Sequence, residues 1–291
     1  MSPQFVDGGR AVVYVAQTRF NQLSLLRLPL DVTAPAAESD DRRVVAEPLH
    51  PGAVTSELAP ACSTNQRTFA YVRNNGNLHV ALVIEDREQS ATVEVDPGGG
   101  FAGIQYVTVS PDGQRVVYAF PERPGGGQQL VSVSRTGQDK RLLTAGDEFD
   151  SCPRFSPDGR QLAFASTRAG NFDVYVSDAA GQNAYPVTSH PGLDQHPDWS
   201  PDGRQLAYVS LRNGNFDVYL LKRIAPATTP TATTSPAETG EPRESDPQAV
   251  RLTDHPERDD YPVWHPSGKH LLTVSERDGQ HDLYLWEIAD R

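Results

Sequence analysis

Asp150-Ser-Cys-Pro-Arg-Phe-Ser-Pro-Asp-Gly-Arg160, Asp194-Gln-His-Pro-Asp-Trp-Ser-Pro-Asp-Gly-Arg204 and Asp259-Asp-Tyr-Pro-Val-Trp-His-Pro-Ser-Gly-Lys269 are three copies of one pattern. Each copy continues in the same way. Leu162-Ala-Phe-Ala-Ser-Thr-Arg168, Leu206-Ala-Tyr-Val-Ser-Leu-Arg212 and Leu271-Leu-Thr-Val-Ser-Glu-Arg277 follow, and then Asp173-Val-Tyr, Asp217-Val-Tyr and Asp282-Leu-Tyr. Ser-Pro-Asp-Gly suits a type I turn with Pro at its second position, and Gly supplies the positive φ a hairpin needs. In the strand after it, Leu162 and Phe164 alternate with Ala163 and Ala165, so one sheet face is bulky and the other small. A third strand runs through the Asp-Val-Tyr segments, and a fourth through Arg141-Leu-Leu-Thr, Tyr185-Pro-Val-Thr and Arg251-Leu-Thr.

Fainter copies extend toward the N-terminus, at Val109-Ser-Pro-Asp-Gly-Gln-Arg-Val-Val-Tyr118, Phe5-Val-Asp-Gly-Gly-Arg-Ala-Val-Val-Tyr14 and Asn65-Gln-Arg-Thr-Phe-Ala-Tyr71. Ser110, Ser156 and Ser200 stand 46 and 44 residues apart, close to the roughly 40–45 residues of a four-stranded propeller blade. Six such units fill the chain. The fold expected is all-β: a six-bladed β-propeller of four-stranded antiparallel blades, one domain over residues 1–291. Bulky faces interlock with small ones around the axis. The last unit ends after its third strand and the first begins on its innermost strand, so a three-stranded last blade or a fragment of a longer chain are both open. Ser200 and His265 are 65 residues apart, and the excess is a Pro/Thr/Ala-rich run at about 225–249, read as a disordered insertion in a surface hairpin.

Composition narrows the function. Hydrophobic residues make up 37% of 291, charged residues 22%, and 23 Gly with 24 Pro describe a soluble, turn-rich chain. A formal charge of −12 disfavours nucleic acid and anionic membranes, whose binding rests on Lys and Arg, and favours cationic or neutral partners. No apolar run approaches a membrane span, and Met1-Ser2-Pro3-Gln4-Phe5 lacks the basic and apolar regions of an export signal. Cys62 and Cys152 fall in non-adjacent units, so no disulfide is expected. Gly98-Gly-Gly100 and Gly125-Gly-Gly127 lack a following helix and Lys-Ser/Thr, which makes them loops rather than phosphate cradles. Nothing calls for a cofactor.

The pattern Asp-x-x-Pro-x-Trp-Ser-Pro-Asp-Gly, then Ser-x-Arg, Asp-[Val/Leu]-Tyr and Leu-Thr, resembles the propeller repeat of TolB and its relatives. The resemblance implies a six-bladed ring that binds protein partners of the cell envelope, notably a peptidoglycan-associated lipoprotein, in the periplasm. Two departures stand against a full transfer: the α/β domain preceding the propeller in TolB has no room here, and the visible N-terminus suggests the cytoplasm.

Equivalent strands gather equivalent side chains at one mouth of the central channel. Asp150, Asp194 and Asp259 form one such set. Cys152, His196 and Tyr261, with Tyr106 in the third unit, form a second. Both are candidate binding residues for a protein segment or small ligand at an acidic mouth, although each Asp could instead cap its own turn or pair with a nearby Arg. Arg168, Arg212 and Arg277 fall on the same face and read more readily as scaffold contacts, since every blade has one. His190 and His255 in the Thr-x-His-Pro linkers, with His196, are the residues that would hold a metal if there is one, as in the related oligogalacturonate lyase. Gly-x-Ser-x-Gly is absent, and no stretch reads as the hydrolase domain of prolyl oligopeptidase-like peptidases. Trp199, Trp264 and Trp286 read as core. The expectation is a monomeric, non-catalytic binding scaffold; the alternatives are a metal-assisted lyase or hydrolase in the same funnel, and the propeller of a longer peptidase.

Overall fold

The structure is a computed structural model that describes residues 3–19, 22–31, 45–75, 80–97, 103–121, 125–212, 214–222 and 249–288. The 98–100 glycine run and nearly all of the 225–249 insertion lie outside the described residues. The chain is an all-β, six-bladed β-propeller of antiparallel meander sheets. From the axis outward, blade 1 holds Gln4–Val6, Ala11–Arg19, Gln22–Pro29 and Glu47–Pro48. Blade 2 holds Ser56–Cys62, Thr68–Asn74, Val80–Asp86 and Ala91–Val95, and blade 3 holds Gln105–Val109, Arg115–Phe120, Gln129–Ser134 and Arg141–Leu142. Blade 4 comprises Asp150–Phe155, Gln161–Ser166, Asp173–Asp178 and Tyr185–Pro186. Blade 5 comprises Asp194–Trp199, Leu206–Arg212, Asn215–Leu221 and Ala249–Arg251, and the three-stranded blade 6 Asp259–Trp264, His270–Arg277 and Gln280–Glu287.

The repeated turn forms for the reasons its residues give. The Gly113, Gly159 and Gly203 amides each donate to the serine carbonyl three residues back at 2.8–2.9 Å, with Gly φ near +70°. Each serine hydroxyl donates to the turn aspartate at 2.6 Å, and that carboxylate accepts the amide two residues on. The closing Leu-Thr segment is explained as simply: Thr144, Thr188 and Thr253 hydroxyls accept the third-strand amides of Leu130, Val174 and Val218 at 2.9 Å.

Blades pack large against small. Ala163, Val174 and Val176 of blade 4 receive Trp199, Tyr208 and Tyr219 of blade 5, and Ala207 and Val209 of blade 5 receive Trp264 of blade 6. Each such buried side chain contributes roughly 1.5–3 kcal/mol. Blade 6 meets blade 1 through Phe5, Val12, Val263 and Leu272, which closes the ring by side-chain packing. At that seam His265 replaces the usual turn serine. Its Nε2 stands 3.2 Å from the Gly9 carbonyl, its ring sits edge-on to Phe5 at 4.9 Å, and its Nδ1 accepts the Ser267 amide at 3.1 Å. Burial holds this imidazole below its ordinary pKa, so its neutral form spans the seam.

One core expectation is corrected. Trp199 and Trp264 are buried, but Trp286 is only half-buried: it lies on the outermost strand of blade 6, with Nε1 donating to Thr273 Oγ1 at 2.9 Å. Cys62 and Cys152 are both free thiols. Among the described residues no helix is long and apolar enough to cross a membrane.

Candidate functional site

The inner strands of blades 2 to 6 share a bulge at one height. Register slips between Leu58 and Ala61, opposite Tyr118 and Ala119, between Ser151 and Arg154, between Gln195 and Asp198, and between Asp260 and Val263. The residue pushed out is left-handed each time: Ala59 at φ 48°, Tyr106 at 51°, Cys152 at 53°, His196 at 50° and Tyr261 at 49°. Such a backbone costs of order 1–3 kcal/mol per non-glycine residue, and its recurrence makes it a fixed device of the fold that re-aims side chains. Tyr106, Cys152, His196 and Tyr261 thereby line one axial cavity of about 20 Å³, room for one or two water-sized molecules.

These four side chains touch. The His196 ring stacks on Tyr261 at 4.3 Å and lies 5.7 Å from Tyr106. Cys152 shares the cavity lining with both, and its proximity raises the pKa of the Tyr106 phenol and of the imidazole. His196 Nδ1 pairs with Asp260 Oδ1 at 2.5 Å, while Asp260 also accepts from Arg258 Nε at 2.9 Å and the Tyr261 amide at 2.7 Å. Burial alone would lower the imidazole pKa, but Cys152 and Asp260 beside it outweigh burial and raise it. Burial likewise opposes ionisation of Asp260, yet the His196 and Arg258 charges hold its carboxyl down at about 2. An imidazolium–carboxylate pair therefore stands at the axis. Below it Arg154 lies 3.4 Å from Asp198, whose carboxyl burial pushes up to about 6.

The first predicted set takes another position. Asp150, Asp194 and Asp259 are 2%, 0% and 0% exposed, sealed inside their blades. Asp194 accepts from Ser210 and Asp259 from Ser275, residues they face in the register. Arg168 reaches Asp150 at 3.0 Å, Arg277 reaches Asp259 at 3.1 Å, and Arg212 stands 3.8 Å from Asp194. The same guanidiniums lie 4.9, 4.5 and 5.0 Å over the rings of Tyr175, Tyr219 and Tyr284. The inner-strand Asp, the Ser-x-Arg segment and the tyrosine of Asp-x-Tyr are thus one clamp, repeated in three blades, joining inner, second and third strands.

His190 and His255 do not join His196. Their Nδ1 atoms accept the Gly192 and Glu257 amides at 2.9 and 3.1 Å, and their carbonyls accept from Asn171 and Asn215, which ties down the linkers. Among the described residues no group of three His, Cys, Asp or Glu is arranged to hold a metal ion.

Two features escaped the sequence reading. In the loop before blade 2, His50 Nδ1 contacts Glu57 Oε1 at 2.9 Å and Nε2 contacts Glu85 Oε1 at 3.1 Å, with Glu57 2% exposed. Burial lowers this imidazole, but the two carboxylates prevail and raise its pKa to about 9. Because the folded pKa exceeds the unfolded 6.5, the bridge stabilises fully below pH 6.5 and is lost as pH rises through 9. Urea unfolding is expected to show roughly 2 kcal/mol less stability at pH 9.5 than at pH 6 from this site, and His50→Gln should flatten that difference; an unchanged pH profile would refute the bridge. The second feature is a cleft of about 920 Å³ between blades 5 and 6, floored by Trp264, Trp286, Leu220 and Leu252. Val250 stands there at the position Tyr185 fills one blade earlier, and the smaller side chain leaves the cleft open.

Fold and axial ring together define a six-bladed meander propeller with a plugged, charged axis. The propeller is TolB-like: the family profile of the TolB beta propeller domain matches residues 108–225. A curated TolB homologue of Chlorobium luteolum is 32% identical over 128 residues, 42% of this chain and 26% of that protein. The match therefore spans about a quarter of the relative's length. Among solved structures, TolB of Acinetobacter baumannii superposes with a TM-score of 0.69 at 17% identity, over 97% of this chain and 62% of that one. An oligogalacturonate lyase of Vibrio parahaemolyticus superposes with a TM-score of 0.57 at 16% identity, over 99% and 89%. At these identities the solved structures carry the fold alone.

Proposed function

We propose that the chain is a non-catalytic, monomeric binding scaffold, one propeller domain over 1–291, that holds a protein segment of the cell envelope at its axial face. Tyr106, Cys152, His196 and Tyr261 form the recognition floor. Asp150, Asp194 and Asp259 with Arg168, Arg212 and Arg277 keep that floor in register. The observation that carries the reading is the contrast between these sets: the clamp is alike from blade to blade, as a scaffold contact must be, whereas the ring holds a different side chain in nearly every blade. Aromatic residues with one polar handle suit protein recognition. The small cavity admits only the tip of one partner side chain, so the rest of the partner lies across the face. The TolB likeness supports a scaffold role and a periplasmic setting.

Calorimetric titration with the globular part of a peptidoglycan-associated lipoprotein, the partner class the resemblance implies, tests this. Binding is expected, and Tyr261→Ala or Tyr106→Ala should weaken it at least about tenfold, or 1.4 kcal/mol. No binding, or undiminished affinity in both variants with folds intact by circular dichroism, would overturn the assignment.

A further inference from the structure

Two blades deliver different chemical groups to the axial cavity, Cys152 from blade 4 and His196 from blade 5, and a third, blade 6, sets the Asp260 carboxylate behind the imidazole. Asp260, 3% exposed, is fixed by Arg258 and the Tyr261 amide and in turn fixes His196 through Nδ1. That leaves Nε2, on an imidazole only 9% exposed, with no well-aligned hydrogen bond to any described residue. Cys152 lines the same cavity, its sulfur 3.7 Å from Ser151 Oγ. A thiol, an imidazole edge and a carboxylate in that order are the parts of an activated nucleophile.

We propose that Cys152 is a peroxide-reactive thiol, its sulfur activated by His196 and oriented through Asp260 in the axial cavity. The size of the cavity sets the oxidant class: about 20 Å³ admits hydrogen peroxide and excludes bulky organic hydroperoxides. The thiol gives up its proton to solvent, and the sulfur, facing the His196 imidazolium, attacks one peroxide oxygen. The O–O bond breaks as the S–O bond forms, the leaving hydroxide takes the imidazolium's Nε2 proton to become water, and His196 regains a proton from solvent. Sulfur is oxidised to a sulfenic acid, peroxide is reduced, and the sum is thiol plus hydrogen peroxide giving sulfenic acid plus water. The reaction is stoichiometric and independent of whether a protein segment binds the face.

The chain carries its own control. Cys62 is half-buried, and burial pushes its thiol up to about 11. Under a slight excess of hydrogen peroxide at pH 7, trapping with dimedone and peptide mass analysis should show Cys152 oxidised at least ten times faster than Cys62, and cumene hydroperoxide should leave Cys152 largely unreacted. His196→Gln and Asp260→Asn should each slow the Cys152 reaction at least fivefold. Equal rates at the two cysteines in the unaltered protein, or unchanged rates in both folded variants, would overturn the proposal. The first comparison requires no variant to fold.

Discussion

Replacing Asp259 by alanine is expected to remove roughly 3–5 kcal/mol of stability, the largest loss for any single change considered. The carboxylate is 0% exposed and accepts from Ser275, while Arg277, 16% exposed, stands 3.1 Å away. Alanine leaves that guanidinium buried against Tyr284 without its anion, and an uncompensated buried charge costs more than the pair was worth. It also unties the inner strand of blade 6 from the second and third strands. Asp259→Asn keeps an acceptor for Ser275 and loses only the charge, so it should fall between. Urea unfolding followed by circular dichroism measures both. A loss below about 1 kcal/mol in the alanine variant would mean the clamp contributes little.

The second large effect is expected at the seam. Gly9 has φ +91°, and a Cβ there would stand 2.3 Å from His265 Nε2. His265 has little room to yield, because its ring is packed on Phe5 and its Nδ1 is bonded to the Ser267 amide. Gly9→Ala should therefore cost about 3 kcal/mol, the sum of a left-handed alanine and an overpacked contact. Gly8 isolates the second part. It has φ +67° with nothing within 4 Å of the place a methyl would occupy, so Gly8→Ala should lose only about 1 kcal/mol. Equal losses at the two glycines would show that the His265 contact does not close the ring.

The residues themselves show how far sequence reading reaches. Ser-Pro-Asp-Gly, Ser-x-Arg and Leu-Thr were legible because each makes contacts within its own blade, where sequence separation and strand pairing settle the neighbours. The second ring, Tyr106, Cys152, His196 and Tyr261, was legible too, since equivalent positions in equivalent strands come to one height around an axis. What the aspartates do there was not. Asp194 and His196 are two residues apart, which on an even strand puts them on one face; the bulge between Gln195 and Asp198 turns His196 to the axis and leaves Asp194 inside the blade. Asp260 gave no signal, because its partner His196 lies 64 residues away and differs in every other blade. His50 gave none for the same reason.

The order of blades, the strands within them and the turns between them follow from sequence alone, because hydrophobic alternation and turn chemistry act over a few residues. Tertiary structure alone decided that His265 and Gly9 close the ring, that the inner-strand aspartates are sealed struts, and that a thiol and an imidazole share one cavity with a carboxylate behind the imidazole. Those outcomes depend on which blades become neighbours and how each bulge turns a side chain, and both are set only when the sheets pack around a common axis.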